Sequence, residues 1–416
     1  MRLLFEAPVL TSSGYGEHAR LVYSALKKKG DLDIFVNPLN WGRCTWELPR
    51  DELLEDIKKY KLYASQCERE KTNQQYSMQV LVGIPNEFVK KAPVSLCVTA
   101  GIETDRISPN WLIKTHQGID KIIVPSHHAK FGFENTGYEV FNGETQAKTS
   151  LTCGCPVDVI PYPVKSPEGK PLDIDFSTNF NFLQIAMLGP RKNAHQSIKC
   201  FVEQFRDNPD VGLVLKTSQS RSSVIDREST RIQLERYVKS LGEKKCKIYF
   251  LHGNLTEAEI HSLYTHPKIK AYYTTTHGEG FGLPIFEAAY SGLPVIATDW
   301  SGHLDFLSAP HKGKTKKLFA KIGCDIKQVH ENAIWGDLIV KDSKWAYPIE
   351  SSIKAQLEKV YKDHGMYKSW AKSLRSHIVE NYTLENILDQ YIESIFPKKT
   401  QDEAEWEAHL SEIEML

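Results

Sequence analysis

The stretch His277-Gly278-Glu279-Gly280-Phe281-Gly282-Leu283-Pro284-Ile285-Phe286-Glu287-Ala288 sets two carboxylates and three glycines around a single predicted helix start. A β-type run, Ala271 to Thr276, precedes it. Pro284 reads as the first residue of a helix continuing through Tyr290, because proline's fixed φ and missing N–H suit that position. The glycines then occupy a strand-to-helix turn, where bare backbone admits a ligand closely and free N–H groups at a helix N-terminus bind phosphate oxygens. Glu287, one turn inside the helix, can accept two hydrogen bonds from a vicinal diol such as a ribose, while Glu279 lies ahead of the helix among the glycines. Gly-rich βα turns recur throughout α/β proteins, so the spacing alone is compatible with chance. Taken as a pair, the glutamates suggest a nucleoside diphosphate carrying a sugar.

Outward from this stretch, β-type runs alternate with helical patterns, the signature of parallel, doubly wound sheets. Strands are predicted at Leu3–Ala7, Ile34–Asn37, Met78–Val82, Pro93–Thr99 and Lys121–Val124, with helices Glu17–Lys29 and Ala129–Asn135. A proline-rich passage, from Ile160 through Pro171, reads as a linker. A second series follows: strands Asn181–Leu188, Val211–Thr217 and Lys247–Leu251, with helices Ala194–Arg206, Glu228–Leu241 and Thr256–Thr265. Helical patterns at Ser352–Asp363, Tyr367–Asn381 and Leu384–Phe396 close the chain. At 416 residues it exceeds the usual size of one hydrophobic core. The expected fold class is therefore α/β, with domains 1–165 and 166–380, a closing helix 381–397 and an acidic tail 398–416. Ligands are expected at the carboxyl ends of the strands.

The opening stretch resembles the E-x7-E signature of glycosyltransferase family 4, including the Gly-Phe-Gly-Leu-Pro between the glutamates. Ser291-Gly292-Leu293-Pro294-Val295-Ile296-Ala297-Thr298-Asp299 is similar to that family's next turn and strand, and Ser301-Gly302-His303-Leu304-Asp305 to its following glycine turn. The resemblance spans nearly the whole chain and is specific from Thr274 to Asp305. It implies the GT-B fold, two Rossmann-like domains facing a central cleft, and a closing helix that returns to the first domain. It also implies retaining transfer from a nucleoside diphosphate sugar, most simply a UDP-sugar, to an acceptor hydroxyl.

The same resemblance distributes roles. His277, Gly278, Gly280, Phe281, Gly282, Leu283 and Glu287 would bind the donor, and Glu279 would contact its sugar or phosphate. Thr11-Ser12-Ser13-Gly14-Tyr15-Gly16 would place Gly14 and Gly16 near the donor phosphates. This run also fits the dinucleotide fingerprint, but the second strand ends Val36-Asn37-Pro38 without the acid that a dinucleotide ribose needs. Arg191 and Lys192, at the turn after the first strand of the second domain, would neutralise the leaving diphosphate, with Lys216 as a further candidate because many family members separate the two cations. Ala100-Gly101-Ile102-Glu103-Thr104-Asp105-Arg106 resembles an E-T-D segment of some relatives. Glu103 would then orient acceptor or sugar, with His127 or His128 nearby. No residue stands out as a covalent nucleophile, in keeping with front-face attack assisted by the leaving phosphate.

Composition narrows the partners. With 52 basic and 52 acidic residues, no global field draws the protein to nucleic acid or an anionic membrane. Met1 to Glu6 enters a strand without an apolar leader, and no stretch reaches membrane-spanning length, so a soluble cytoplasmic protein with no membrane anchor is expected. Eight scattered cysteines, with only Cys153 and Cys155 close, read as reduced structural thiols. No cofactor and no metal are expected: the D-x-D triplets, Asp31-Leu32-Asp33 and Asp173-Ile174-Asp175, are attached to no nucleotide-binding turn. Residues 308–345 look like an insertion after the glycine turn.

For the acceptor, the chain resembles glycosyltransferases of large tailed bacteriophages, some of which glycosylate hydroxymethylated cytosines in their own DNA. Hydroxymethylated DNA is thus the leading acceptor, and the host cytoplasm the setting if the chain is phage-encoded. A flipped base needs a positive cleft lip, for which Lys312–Lys321, Lys58–Lys61 and Lys90–Lys91 are candidates. A glycan, lipid or small-molecule acceptor is the alternative. From other classes, a GT-B sugar-nucleotide epimerase and a degenerate binding module remain.

Overall fold

In the first of two six-stranded sheets, Arg2–Ala7 buries five of its six residues and Met78–Val82 all five, the near-continuous apolar pattern of parallel strands covered on both faces. The computed structural model describes residues 1–398 apart from 43, 47–50, 142–147, 166–169, 171, 173 and 221. The spatial order of this sheet is Asp33–Pro38, Arg2–Ala7, Met78–Val82, Val94–Val98, Lys121–Val124 and Val157–Val159, every pair parallel. The second sheet runs Lys247–Leu251, Val211–Ser218, Phe180–Met187, Ile269–Tyr273, Val295–Thr298 and Ala320–Ile322, again all parallel.

The order of the second sheet determines where its ligand site can be. The chain starts in the middle at Phe180–Met187, winds outward to Lys247–Leu251, then crosses back to the other side at Ile269–Tyr273. Outside the carboxyl ends of those two central strands, the loops diverge and leave a crevice. The loops released there are Leu188–Asn193 and Thr274–Gly282, which bring the basic pair and the opening motif together.

Several elements depart from expectation. The strand predicted over Ala271–Thr276 spans Ile269–Tyr273, because Thr275 and Thr276 divert the chain into side-chain bonds. The Thr275 hydroxyl donates to Asn193 O (3.1 Å) and that of Thr276 to Gly278 O (3.0 Å). Helix Gly14–Lys29 begins earlier than expected, since Ser13 caps it by accepting the Gly16 N–H at 3.0 Å. Helices Asp51–Glu70 and Pro109–His116 were not read from the sequence. Residues 308–345 are not merely an inserted loop. They contain Ala320–Ile322, a strand of the main sheet, flanked by the hairpin Ser308–His311/Lys314–Lys317 and by Cys324–Gln328, which pairs with Lys344–Pro348. Of the acidic tail, 399–416 lie outside the described residues, as does Asp173.

The last helix, Leu384–Ile395, packs on Gly14–Lys29 of the first unit. Ile387, Tyr391 and Ile395, four apart, are its buried stripe. The Tyr391 hydroxyl lies 2.7 Å from Nε2 of His18, a ring whose pKa burial pushes down to about 3. The linker is packed too. Ile160 and Tyr162 are buried, and the Val164 N–H donates to Tyr382 O at 2.7 Å where the chain crosses back. Among the described residues no helix is long and apolar enough to cross a membrane, and all eight cysteines are unpaired.

Candidate active site

Four residues from three separate stretches form one chain of charges. Arg191 donates to Glu279 at 2.8 Å and reaches Glu103 of the first unit at 3.2 Å, while Lys192 Nζ sits 2.6 and 2.8 Å from the two Glu279 oxygens. Burial pushes the Glu279 carboxyl up, but Lys192 and Arg191 outweigh it and hold the group down at about 2. Burial and the neighbouring guanidinium push Lys192 down, against the pull of Glu279. The Glu279 N–H donates to Ser301 Oγ at 2.9 Å. Ser301 itself holds φ 88°, a left-handed value that costs a non-glycine residue energy and recurs where geometry is fixed for function. The Glu103–Arg191 pair also ties the two units together across the cleft.

Beside this network lies a cavity of about 440 Å³, lined from the first unit by Ser12–Gly14, Glu17 and Arg20 and from the second by Lys192, Lys216, Tyr264, Leu283 and Glu287. Lys216 is half-buried there, its pKa lowered by burial, and among the described residues no carboxylate lies within ion-pair distance of it. The Glu287 carboxyl accepts from the Tyr264 hydroxyl at 2.9 Å, and burial pushes it up from 4.5 to about 7.

The glycines divide into two kinds. A Cβ on Gly14 would meet nothing within 4 Å, so its backbone is open to the cavity. On Gly16 it would fall 1.9 Å from Thr11 O, on Gly278 2.1 Å from Glu103 O, and on Gly280 2.3 Å from Ala100 O. Close approach was expected at all four. At Gly16 the approaching group is the preceding loop. At Gly278 and Gly280 it is the Ala100–Glu103 segment of the opposite unit rather than a ligand. Gly282, at φ 95°, is the left-handed cap of helix Leu283–Tyr290. Phe281 is buried among Tyr162, Phe286 and Phe306, in the core rather than on the cavity wall.

His277 is buried flat against Trp345, ring centroids 4.6 Å apart, with Nδ1 2.6 Å from Ala346 O; burial takes its pKa down to about 4. It fixes the loop and does not line the cavity beside the network. His128 is pushed down to about 4 by burial, and its ring stands edge-on to Trp300 at 4.8 Å. His127 is exposed and lies 3.1 Å from Asp305 of the other unit.

Sequence reasoning missed Lys165, which bridges Glu17 and Glu257 at the cavity wall, as well as Arg20, Tyr264 and Ser301. Nothing in the linker marked Lys165, whose partners come from two distant helices. Ser301 lay in the recognised glycine turn, and the left-handed backbone it needs had no signal in a serine.

Residues 175–329 match the family described as Glycosyl transferases group 1. Over 121 residues, 29% of this chain, the sequence is 29% identical to the serotype-specific mannosyltransferase WbdA of Escherichia coli, and the match spans 13% of that relative's length. Among solved structures, Anabaena HepE in complex with UDP and glucose superimposes with a TM-score of 0.57 at 15% identity, covering 95% of this chain and 99% of that one. Sucrose-phosphate synthase from Thermosynechococcus elongatus gives 0.58 at 14% identity, covering 94% and 97%. The architecture, two facing parallel-sheet Rossmann-like units, is that of the GT-B glycosyltransferases.

Proposed function

We propose that the chain is a retaining, metal-independent glycosyltransferase that takes a nucleoside diphosphate sugar, most simply a UDP-sugar. The observation carrying this is the convergence of Lys192, Lys216 and Glu287 on one cavity at the sheet's crossover point, with the Arg191–Glu279 pair adjoining it. The UDP and glucose held by HepE and the sugar chemistry in the WbdA name support the same donor class.

Glu287 takes the ribose hydroxyls, and Lys192, Lys216 and Arg191 compensate the diphosphate as the bond from the anomeric carbon to phosphate oxygen breaks. The acceptor oxygen bonds to that carbon on the same face, and its proton passes to the departing phosphate. Glu279 sets the positions of both cations, and Glu103 orients the guanidinium from the acceptor side. Because these cations already face the diphosphate, activity is expected to persist in excess EDTA. Loss restored by magnesium or manganese would remove metal independence from this reading. The main test is a donor panel read as nucleotide release, with the anomeric configuration of the product read by NMR. Epimer formation without sugar release would point instead to a sugar-nucleotide epimerase.

Of the lysines offered as a cleft lip for DNA, four are already in ion pairs and stand away from the cavity. Lys58 pairs with Glu55 at 2.7 Å, Lys59 with Asp33 at 3.0 Å, Lys91 with Glu6 at 2.7 Å and Lys317 with Asp299 at 2.6 Å, and none of them lines the cavity.

Glu287→Gln should weaken donor binding by about 1.5–3 kcal/mol, the value of hydrogen bonds to a charged group. In the parent protein, affinity should rise with pH through about 7 as the carboxyl ionises. Stability should move the other way. A carboxyl whose folded pKa is raised holds an extra proton in the folded state between about 4.5 and 7, so the fold loses stability as pH climbs through that window. Calorimetric titration of UDP at pH 6 and 8 checks the first. A donor affinity in Glu287→Gln equal to the parent's at pH 8 would take Glu287 out of the ribose role.

A further inference from the structure

Two tryptophans that the transfer chemistry above leaves unused adjoin the loop whose Ser12–Gly14 stretch lines the donor cavity. Trp46 is 57% exposed and forms an antiparallel bridge with Thr11, and the Ser12 N–H donates to Thr45 O at 2.8 Å, so Thr45 and Trp46 pair with the loop. Trp41 lies on Tyr15 with ring centroids 4.1 Å apart. Tyr15 is held rigidly: its hydroxyl is 2.9 Å from Thr99 Oγ1 and accepts the Ala100 N–H at 3.2 Å. Ala100, which it holds, opens the segment that carries Glu103, the residue that pairs with Arg191. Both indoles are thus anchored on the Thr11–Tyr15 loop, whose Ser12–Gly14 stretch lines the cavity.

We propose that Trp41 and Trp46 form the acceptor platform and that the acceptor is a carbohydrate, a hexopyranose ring of a glycan laid against exposed indole. This rests on the reading of the neighbouring cavity as the donor site. The C–H edges of a pyranose carry slight positive charge and the face of an indole slight negative charge, so the two stack, as cations do on the same faces. Hydroxyls of the exposed Ser12 and the half-buried Thr45 stand alongside for the sugar's own hydroxyls. Among the described residues, the arginines near the platform are already engaged. Arg20 is engaged by Val9 O, Thr11 O and Glu17, and Arg191 by two glutamates, whereas a duplex must be met by cations open to its phosphates.

The test uses the full chain, with the donor identified by nucleotide release and three acceptor probes: maltotriose, an α-linked mannotriose and a hydroxymethylcytosine-containing duplex. At least one trisaccharide should accept sugar. Trp46→Ala, at an exposed position, should raise that acceptor's KM tenfold or more while UDP affinity stays within twofold. Trp46→Phe, which keeps an aromatic face, should recover most of the loss. Transfer to the duplex and to neither trisaccharide overturns the proposal, as does an unchanged KM in Trp46→Ala or no acceptance by any probe. If no nucleotide sugar binds or releases nucleotide at all, the donor reading fails first, and that failure is separate because it is seen without any acceptor.

Discussion

Lys192→Ala is expected to lower kcat by about 10²–10³-fold, the loss that follows removal of one preorganised group facing charge that develops in a transition state. Among the described residues, Lys192 alone both lines the donor cavity and holds both oxygens of Glu279, at 2.6 and 2.8 Å. Its removal deprives the departing phosphate of a cation and leaves the buried Glu279 with Arg191 alone. Breaking a buried pair by deleting one partner costs about 3–5 kcal/mol, so a lower melting temperature should accompany the kinetic loss. Lys192→Arg, which keeps the charge but not the compact ammonium, should recover part of kcat. Measured below the melting transition, a kcat within threefold of the parent's would sink the assignment of Lys192 to the leaving group.

Gly278→Ala should be nearly as damaging for a different reason. The added methyl would sit 2.1 Å from Glu103 O and 2.7 Å from the Trp300 ring, and the first of these is backbone that cannot rotate aside. Overpacking of this kind costs about 1–3 kcal/mol or more, and relief requires the two units to separate at the seam that carries Glu103 to Arg191. A loss in kcat/KM of about 10–100-fold corresponds to that energy. Gly14→Ala is the matched control for stability, since its methyl would meet nothing within 4 Å. If the two variants melt together and Gly278→Ala keeps the parent's kcat/KM, the seam does not govern activity.

How much of this was readable beforehand varies with the kind of interaction. The alternation of strands and helices was readable because each buried strand writes a continuous apolar run. The meeting of Arg191, Lys192 and Glu279 followed once two central strands of one parallel sheet were recognised, because their carboxyl ends must release adjacent loops. Helix Asp51–Glu70 was not legible. It buries only Leu53, Asp56, Ile57 and Cys67, too few apolar positions over twenty residues to mark a period. The meaning of the glycines was half legible. A glycine announces that something comes close, but sequence does not say whether that is a phosphate, as sought at Gly278 and Gly280, or the backbone of another domain. Phe281 misled through its neighbours, being inside the motif in sequence and inside the core in space.

The packing of Leu384–Ile395 onto Gly14–Lys29 has a consequence for how the molecule is made. A ribosome delivers the chain from its amino end, and domains generally fold in that order as they emerge. Here the first sheet is complete at Val159, yet the partner of His18 is Tyr391, and nearly the whole second unit is translated between them. The nascent amino-terminal half must therefore hold an apolar helix face uncovered until residues 384–395 have emerged. A chain truncated before Leu384 would carry two finished sheets and one unfinished surface, a product prone to chaperone capture and clumping rather than a smaller working protein.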